Sequence, residues 1–316
     1  MTPGPPEEVV RCADLGAEIE RWEARGARLV AIWPADDPAH ALVRDGRRLV
    51  ELVTEHPAPP AETPEAGQRR LLVSRTGDTV AGRAGMQYRD LIPGRVGGRY
   101  IASSIRIPDG GPVPDYVHHH DVEFQMIFCA AGWVRVVYED QGPPFVLHAG
   151  DCVLQPPGIR HRVLEASPGL EVVEISSPAS HVTYRDHSMV LPTGAIRPAR
   201  DFGGQRFVHH VASSAATTCW RGTGLPCRDL GLTPATNGRA RALVVGAATA
   251  GAAEAVADAD LTFLYVLDGS VGVGVDGTVV DARPATGVVV PPGLPFRLQS
   301  WTADLRLLDV AVGLNG

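Results

Sequence analysis

Residues 118–132 read HHHDVEFQMIFCAAG and residues 150–161 read GDCVLQPPGIRH. The first stretch sets imidazoles at i and i+2, His118 and His120, with the polar chelating side chain of Gln125 five residues further on. The second delivers His161 shortly after a Pro-Gly turn at Gly158. In a strand, residues i and i+2 project to one face, so His118 and His120 can point inward together. The step from His120 to Gln125 is odd and needs a bulge or twist to bring Gln125 onto that face. A competing register puts His119, Asp121 and Gln125 on one face. Two imidazoles hold a borderline transition metal better than one, which favours His118 and His120. Neutral imidazole is the commonest protein metal ligand, and three that converge with a fourth donor make a mononuclear site.

Composition narrows what such a site serves. The chain has 316 residues and a net charge of −7. It has no basic stripe, which argues against nucleic acid. No apolar run approaches the roughly 18 residues of a membrane helix. The first residues, MTPGPPEE, lack a basic region followed by an apolar run, so no secretion signal is expected. Every basic residue other than histidine is Arg. A Schiff-base lysine is therefore excluded. Cys12, Cys129, Cys152, Cys219 and Cys227 form no C-x-x-C pair. An odd, dispersed set suits a reducing, cytoplasmic setting, with Cys129 and Cys152 as buried, inert thiols.

From about residue 70 onward, short runs rich in Val, Ile, Leu and aromatics alternate with Gly and Pro punctuation. They include 100–107, 125–129, 133–138, 144–147, 152–155, 163–164 and 171–175, a pattern that predicts an all-β sandwich or barrel. The second half repeats the first. Gln125–Gly132 recurs as Thr262–Gly269, Pro156-Pro-Gly158 as Pro291-Pro-Gly293, and the Arg-Asp-Leu of Arg89 as that of Arg228, at an offset of about 137 residues. A repeat that long is a whole domain rather than a solenoid unit. The expected organisation is an N-terminal appendage and Pro-rich linker over 1–66, a first barrel over 67–195 and a second over 196–316. Within the appendage, Asp14–Arg25 reads as a helix with Asp14 as N-cap and Gly26 as stop, and 28–33 and 48–53 as strands.

The two quoted stretches resemble the cupin superfamily. Its first motif, H-x-H-x(3,4)-E-x(6)-G, is matched by His118, His120, Gln125 and Gly132, with Gln in place of Glu; Gly111 lies one residue from the usual upstream glycine. Its second, G-x(5)-P-x-G-x(2)-H-x(3)-N, is matched by Gly150, Pro156, Gly158 and His161, with Glu165 in place of Asn. The resemblance implies a mainly β chain of two tandem cupin-type jelly-roll β-barrels with a small α+β appendage. It implies a divalent transition metal in the first, with Fe(II) as first choice and Ni, Mn or Zn as alternatives. His118, His120, His161 and Gln125 are the expected ligands. In the second repeat Ala255 and Ala257 stand at the two His positions, Thr262 at the Gln position and Phe296 at the last His position, so that barrel cannot hold the same ion. His209 and His210 fall outside any motif and are expected in a linker.

Around the ion, Phe124, Met126, Phe128, Trp133 and Tyr138 are candidates for an apolar wall, about half of them facing inward. Arg89, Arg99, Arg106 and Arg135 are candidates to clamp a substrate carboxylate or enolate. Glu123 is placed to supply the carboxylate that Gln125 lacks or to move protons. Glu123 and Arg89 are thus the expected catalytic residues. Two-barrel cupins with one surviving metal site resemble dioxygenases that act on aromatic or dicarbonyl-like small molecules with O2. A metal-assisted isomerase and a small-ligand-binding module share the same scaffold, since fold alone does not decide function. A homodimer is the expected assembly.

Overall fold

The computed structural model describes residues 4–55, 70–75, 77, 79–82, 85–248 and 251–314. The expected Pro-rich linker, 56–67, lies outside the described residues. The front half of the chain folds as two facing antiparallel sheets, the jelly-roll arrangement. One sheet runs in the order Thr183–Arg185, His118–His120, His161–Ala166, Trp133–Tyr138, Phe145–His148; the other in the order Val208–His210, Cys152–Leu154, Phe124–Ala131, Leu170–Ser177, Ile101–Ile107, Gln87–Asp90, Val80–Ala81. Between His120 and Phe124 the chain leaves one sheet and enters the other. That change of sheet, rather than a bulge within one strand, accommodates the odd step from His120 to Gln125.

The rear half repeats the plan, with Pro226–Asp229, Ala240–Gly246, Arg306–Leu314, Ala259–Asp268 and Gly287–Val290 in one sheet and Ala252–Val256, Pro295–Gln299, Val271–Val275 and Thr278–Ala282 in the other. The halves exchange strands. Leu72–Ser74 pairs with Gly287–Val290 of the rear sheet, while Val208–His210 pairs with Cys152–Leu154 of the front sheet. His209 and His210 therefore lie on a strand at the edge of the front sheet, not in a linker. The strand pairing covers that edge, which would otherwise expose unpaired backbone groups.

The appendage holds the expected helix, Leu15–Ala24, capped by the Asp14 side chain, which accepts from the Ala17 N–H at 2.9 Å. Its apolar face, with Leu15, Ile19 and Trp22, packs on Leu29, Val43, Val50 and Leu52. Its strands do not form a separate sheet. Arg28–Trp33 pairs with Thr183–Arg185, so the appendage continues the sheet that carries His118 and His120.

One core joins the halves. Phe124, Met126, Phe128, Val173 and Ile175 from the front meet Leu261, Phe263, Tyr265, Leu308 and Val310 from the rear. Leu261, Phe263 and Tyr265 are the repeat partners of Phe124, Met126 and Phe128, so the two halves present equivalent faces to each other. This corrects the expected role of those front aromatics: they pack between the halves and do not wall the histidines. Tyr265 also donates to Glu171 across the interface at 3.1 Å. Burial works against the Glu171 charge, but hydrogen bonds from Ser104 and Arg106 outweigh it and hold the carboxyl below its usual range.

Phe263→Ala removes a fully buried ring from the shared core. The expected cost is about 3–5 kcal/mol, read by chemical denaturation. The depressed Glu171 carboxyl stabilises the fold above the unfolded-state value and loses that contribution as pH falls through the folded one. Glu171→Gln should therefore lower stability at neutral pH and flatten the loss of stability below about pH 4, measured by denaturant midpoints across pH.

Candidate metal centre

His118, His120 and His161 come together between the front sheets. Their ligand atoms all lie within 4.8 Å of one another, and all three residues are buried. The ring centroids form a compact triangle, with His118–His161 at 4.2 Å, His118–His120 at 5.1 Å and His120–His161 at 5.2 Å. Strand pairing sets this up directly, because His118 stands opposite His161 in the antiparallel register. His120 follows two residues on, on the same face. Gly158, at φ 73°, makes the turn that leads into His161, and its N–H reaches the His120 carbonyl at 3.3 Å. A positive φ of this kind favours glycine.

Each imidazole has an oxygen partner at Nδ1. His118 Nδ1 meets the Tyr116 carbonyl at 2.8 Å, His120 Nδ1 the Thr183 hydroxyl at 3.0 Å, and His161 Nδ1 the Ile159 carbonyl at 3.1 Å. A backbone carbonyl only accepts, so Nδ1 of His118 and His161 carries the proton; the Thr183 hydroxyl lets His120 take the same tautomer. The neutral ring then presents its lone pair at Nε2. An oriented imidazole with its other nitrogen anchored to an oxygen is the arrangement of metal-ligating histidines. The donor set fits a divalent transition ion.

The cavity around the triad has a volume of ≈ 80 Å³. Its wall is largely apolar: Met86, Ile105, Ile127, Val136, Leu147 and Val172 contribute, together with Ala35 from the appendage. Four polar side chains other than the imidazoles line it, Tyr88, whose hydroxyl donates to Met86 Sδ at 3.7 Å, and Tyr138, Gln155 and Glu174. The last three belong to one hydrogen-bonded run. Tyr138 donates to Gln155 Oε1 at 2.5 Å, Gln155 Nε2 to Gln125 Oε1 at 2.9 Å, and Gln125 Nε2 to Glu174 Oε1 at 3.0 Å. Ser176 adds a second donor to the same Glu174 oxygen at 3.0 Å. Burial, and after it the neighbouring Cys152 and Glu174, raise the Tyr138 phenol well above its usual range, so it stays a donor.

The other expected site residues lie elsewhere. Gln125 is buried behind the wall, with both ends of its amide held by Gln155 and Glu174. Glu123 is exposed on the turn between the sheets, where its backbone bonds Ser177 and the Gln205 side chain. Arg89 donates to the carbonyls of Arg75 and Ala285, fastening the front half to the rear. Arg106 pairs with Glu171, Arg135 with Glu165, and Arg99 lies 3.9 Å from Asp260. No Arg lines the cavity among the described residues. Sequence reading misses Glu174, Gln155 and His181, whose ring meets His120 edge-on at 5.3 Å. Glu174 had a signal in the alternation of the strand Leu170–Ser177, whose Val172 and Glu174 face the cavity while Val173 and Ile175 face the shared core. Cys129 and Cys152 are buried as expected, and burial, with Asp151 nearby, pushes the Cys129 thiol up to about 12.

The rear half shows the same register with different occupants. Ala255 stands opposite Phe296, as His118 stands opposite His161. Phe296 is buried and meets the fully buried Trp220 edge-on at 6.0 Å.

Residues 104–175 match the family described as the cupin domain. That match lies within the front jelly roll, and the chain as a whole folds as two jelly rolls. Solved structures agree on the fold. A Pseudomonas aeruginosa protein described as glyoxylate-induced superposes with a TM-score of 0.59 at 15% identity, covering 83% of this chain and 94% of its own. The E. coli protein YlbA gives 0.54 at 11% identity, covering 82% and 96%. A deletion variant of Bacillus subtilis oxalate decarboxylase gives 0.56 at 12% identity, covering 81% and 80%. No curated protein matches the sequence.

His161→Ala should abolish retention of the metal, measured by elemental analysis after desalting. Phe296→Ala should leave metal content unchanged while lowering stability by about 3–5 kcal/mol, because its ring fills the rear core.

Proposed function

We propose that the chain is a metal-dependent enzyme that acts on a small, oxygen-rich molecule in the front cavity, the rear jelly roll being structural. The observation that carries this reading is the convergence of three buried imidazoles, each with an oxygen partner at Nδ1, on one cavity. Bound there, a divalent transition ion would supply Lewis acidity toward a chelating substrate and, in the case of iron, access to O2 chemistry.

The protein's own contribution is shape and polarity. A void of ≈ 80 Å³ is smaller than the engineered cavity of about 150 Å³ that admits benzene. A substrate of a few heavy atoms fits inside it. The largely apolar wall leaves Tyr88, Tyr138, Gln155, Glu174 and the imidazoles as the polar contacts. The reading is thus a dioxygenase-type oxidoreductase for a small aromatic or dicarbonyl-like substrate.

A second reading is non-oxidative cleavage of a two- or three-carbon acid. Cavity size favours it, and so does the likeness in fold to an oxalate decarboxylase and to a glyoxylate-induced protein. One assay separates the two. Protein loaded with Fe(II) or Mn(II) is supplied with small 1,3-dicarbonyls and with two- and three-carbon acids, and O2 uptake and CO2 release are followed together. The dioxygenase reading expects stoichiometric O2 uptake that His161→Ala loses. CO2 release without net O2 uptake would establish the second reading instead, and neither signal would remove both.

A further inference from the structure

We propose that the appendage loop 34–38 is the lid of the front cavity, with the Asp36–Arg95 ion pair as its latch and Ala35 as the residue that limits the size of what the cavity takes. The inference rests on the metal-binding reading above and adds to it a role for the appendage.

The loop reaches the cavity because the appendage extends the histidine-bearing sheet. Thr183 stands opposite His120 on one side and Ile32 on the other, so the chain that leaves its strand at Trp33 turns over the end of the cavity where His120 lies. The base of the loop is fixed. The Ala39 N–H reaches the Trp33 carbonyl at 3.1 Å, and the rings of Trp33 and His40 stack at 5.0 Å. Ala35 then lines the cavity, the one lining residue from outside the front jelly roll among the described residues.

From there the loop is tied to the opposite sheet. The buried Asp36 accepts from Arg95 at 2.5 Å, and Arg95 Nε donates at 2.8 Å to Asp90, the last residue of the strand Gln87–Asp90. That strand belongs to the second front sheet and brings Tyr88 to the cavity wall. Gly82 lies between wall and loop: a Cβ there would stand 2.4 Å from the Tyr88 ring and 3.3 Å from the Asp36 carbonyl oxygen. The loop thus spans the gap between the two sheets.

The latch is strained. Residues 94–98 all have positive φ, from 48° to 80°, and two of them, Arg95 and Val96, carry side chains. Such residues enter this region at a cost, a β-branched one above all, and the strain persists where surrounding contacts impose it, often at clamps and switches. Here the contacts are the two carboxylates on Arg95. The repeat supplies a control. Five residues after the repeated Asp of the rear half stands Pro234, in the right-handed turn Leu232–Ala235, and Asp229 itself is exposed. The rear turn has neither the cation nor the left-handed run. A lid held by one ion pair opens locally and recloses, so it sets the rate of traffic rather than the strength of binding.

Co(II)-loaded protein reads both parts of the proposal. Release to excess chelator is followed by visible absorption, and affinity by competition. Asp36→Asn removes the charge of the latch and keeps its shape. Loading and release should both quicken by about tenfold, as for the loss of one hydrogen bond between charged groups, with affinity unchanged. Glu18→Gln loosens the appendage helix instead, where that carboxylate accepts from Arg21 and the Trp22 indole. It should lower the melting temperature and leave release at the native rate. The size limit is read by titrating straight-chain carboxylates, from formate to hexanoate, against the Co(II) band. Ala35→Leu should shorten the longest chain that perturbs the band, and Ala35→Gly should lengthen it. Native release in Asp36→Asn, equal acceleration in Glu18→Gln, or an unchanged limit in both Ala35 variants would each overturn the lid and leave the metal centre standing. Should Asp36→Asn fail to fold, the Ala35 pair decides. Failure of the native chain to hold Co(II) would remove the underlying reading, and the lid with it.

Discussion

Three imidazoles set between two apolar sheets are tolerable only if their polar atoms are answered there. Each leaves water on folding, and an unanswered buried polar group costs on the order of 1–3 kcal/mol. The chain meets this locally. His118 and His161 each bond the carbonyl two residues before them, and His120 bonds a hydroxyl on the adjacent strand. The two carbonyls fix the tautomer of His118 and His161, and all three bonds orient the ring planes. Pre-orientation of this kind lowers the ordering cost at binding, so the geometry of the site follows from the same bonds that make its burial acceptable.

The two halves are a controlled comparison within one molecule. Opposite each other across equivalent strand pairs stand His118 and His161 in front, Ala255 and Phe296 behind. The rear half loses the polar groups, and its interior closes with Phe296, Trp220, Leu264 and Val273. It keeps one acidic position, at Asp309, and that residue is held by a bidentate guanidinium. Breaking a buried pair of that kind is costly because one charge remains inside. The rear jelly roll is thereby tied shut around its own ion pair, and the front one keeps a small void.

Much of this is legible in the sequence, and the reasons for the remainder are physical. The triad is readable because i, i+2 spacing on a strand and a Gly turn before His161 are local rules. The repeat, and the loss of ligands at Ala255, Ala257 and Phe296, are readable as aligned positions. The helix Leu15–Ala24 announces itself through Asp14 and Gly26. What fails is any inference that depends on which side of a strand meets which neighbour. Phe124, Met126 and Phe128 sit next to the histidines in sequence but face the other half of the molecule. Arg89 reads as a clamp, yet its partners are carbonyls at Arg75 and Ala285, the second nearly 200 residues away. Glu174 escapes notice because it lies outside both motifs and reaches the cavity only through the pairing of its strand with that of Gln125.

The strand Phe124–Ala131 carries both of the molecule's commitments at once. Its odd residues, Gln125, Ile127 and Cys129, look toward the cavity and the core around it; its even residues, Phe124, Met126 and Phe128, build the interface with the rear half. A slip of one residue would exchange these sets and put an amide into the interface and phenyl rings into the cavity. Register there is held from both sides, by Leu170–Ser177 and by Cys152–Leu154, and the latter is in turn flanked by Val208–His210, the strand lent across from the start of the rear half. The exchange of strands thus does more than join two jelly rolls. It pins the one strand whose alternation decides that the imidazoles face a void and not a core, which is why a rear half with no ligands of its own still bears on the chemistry of the front.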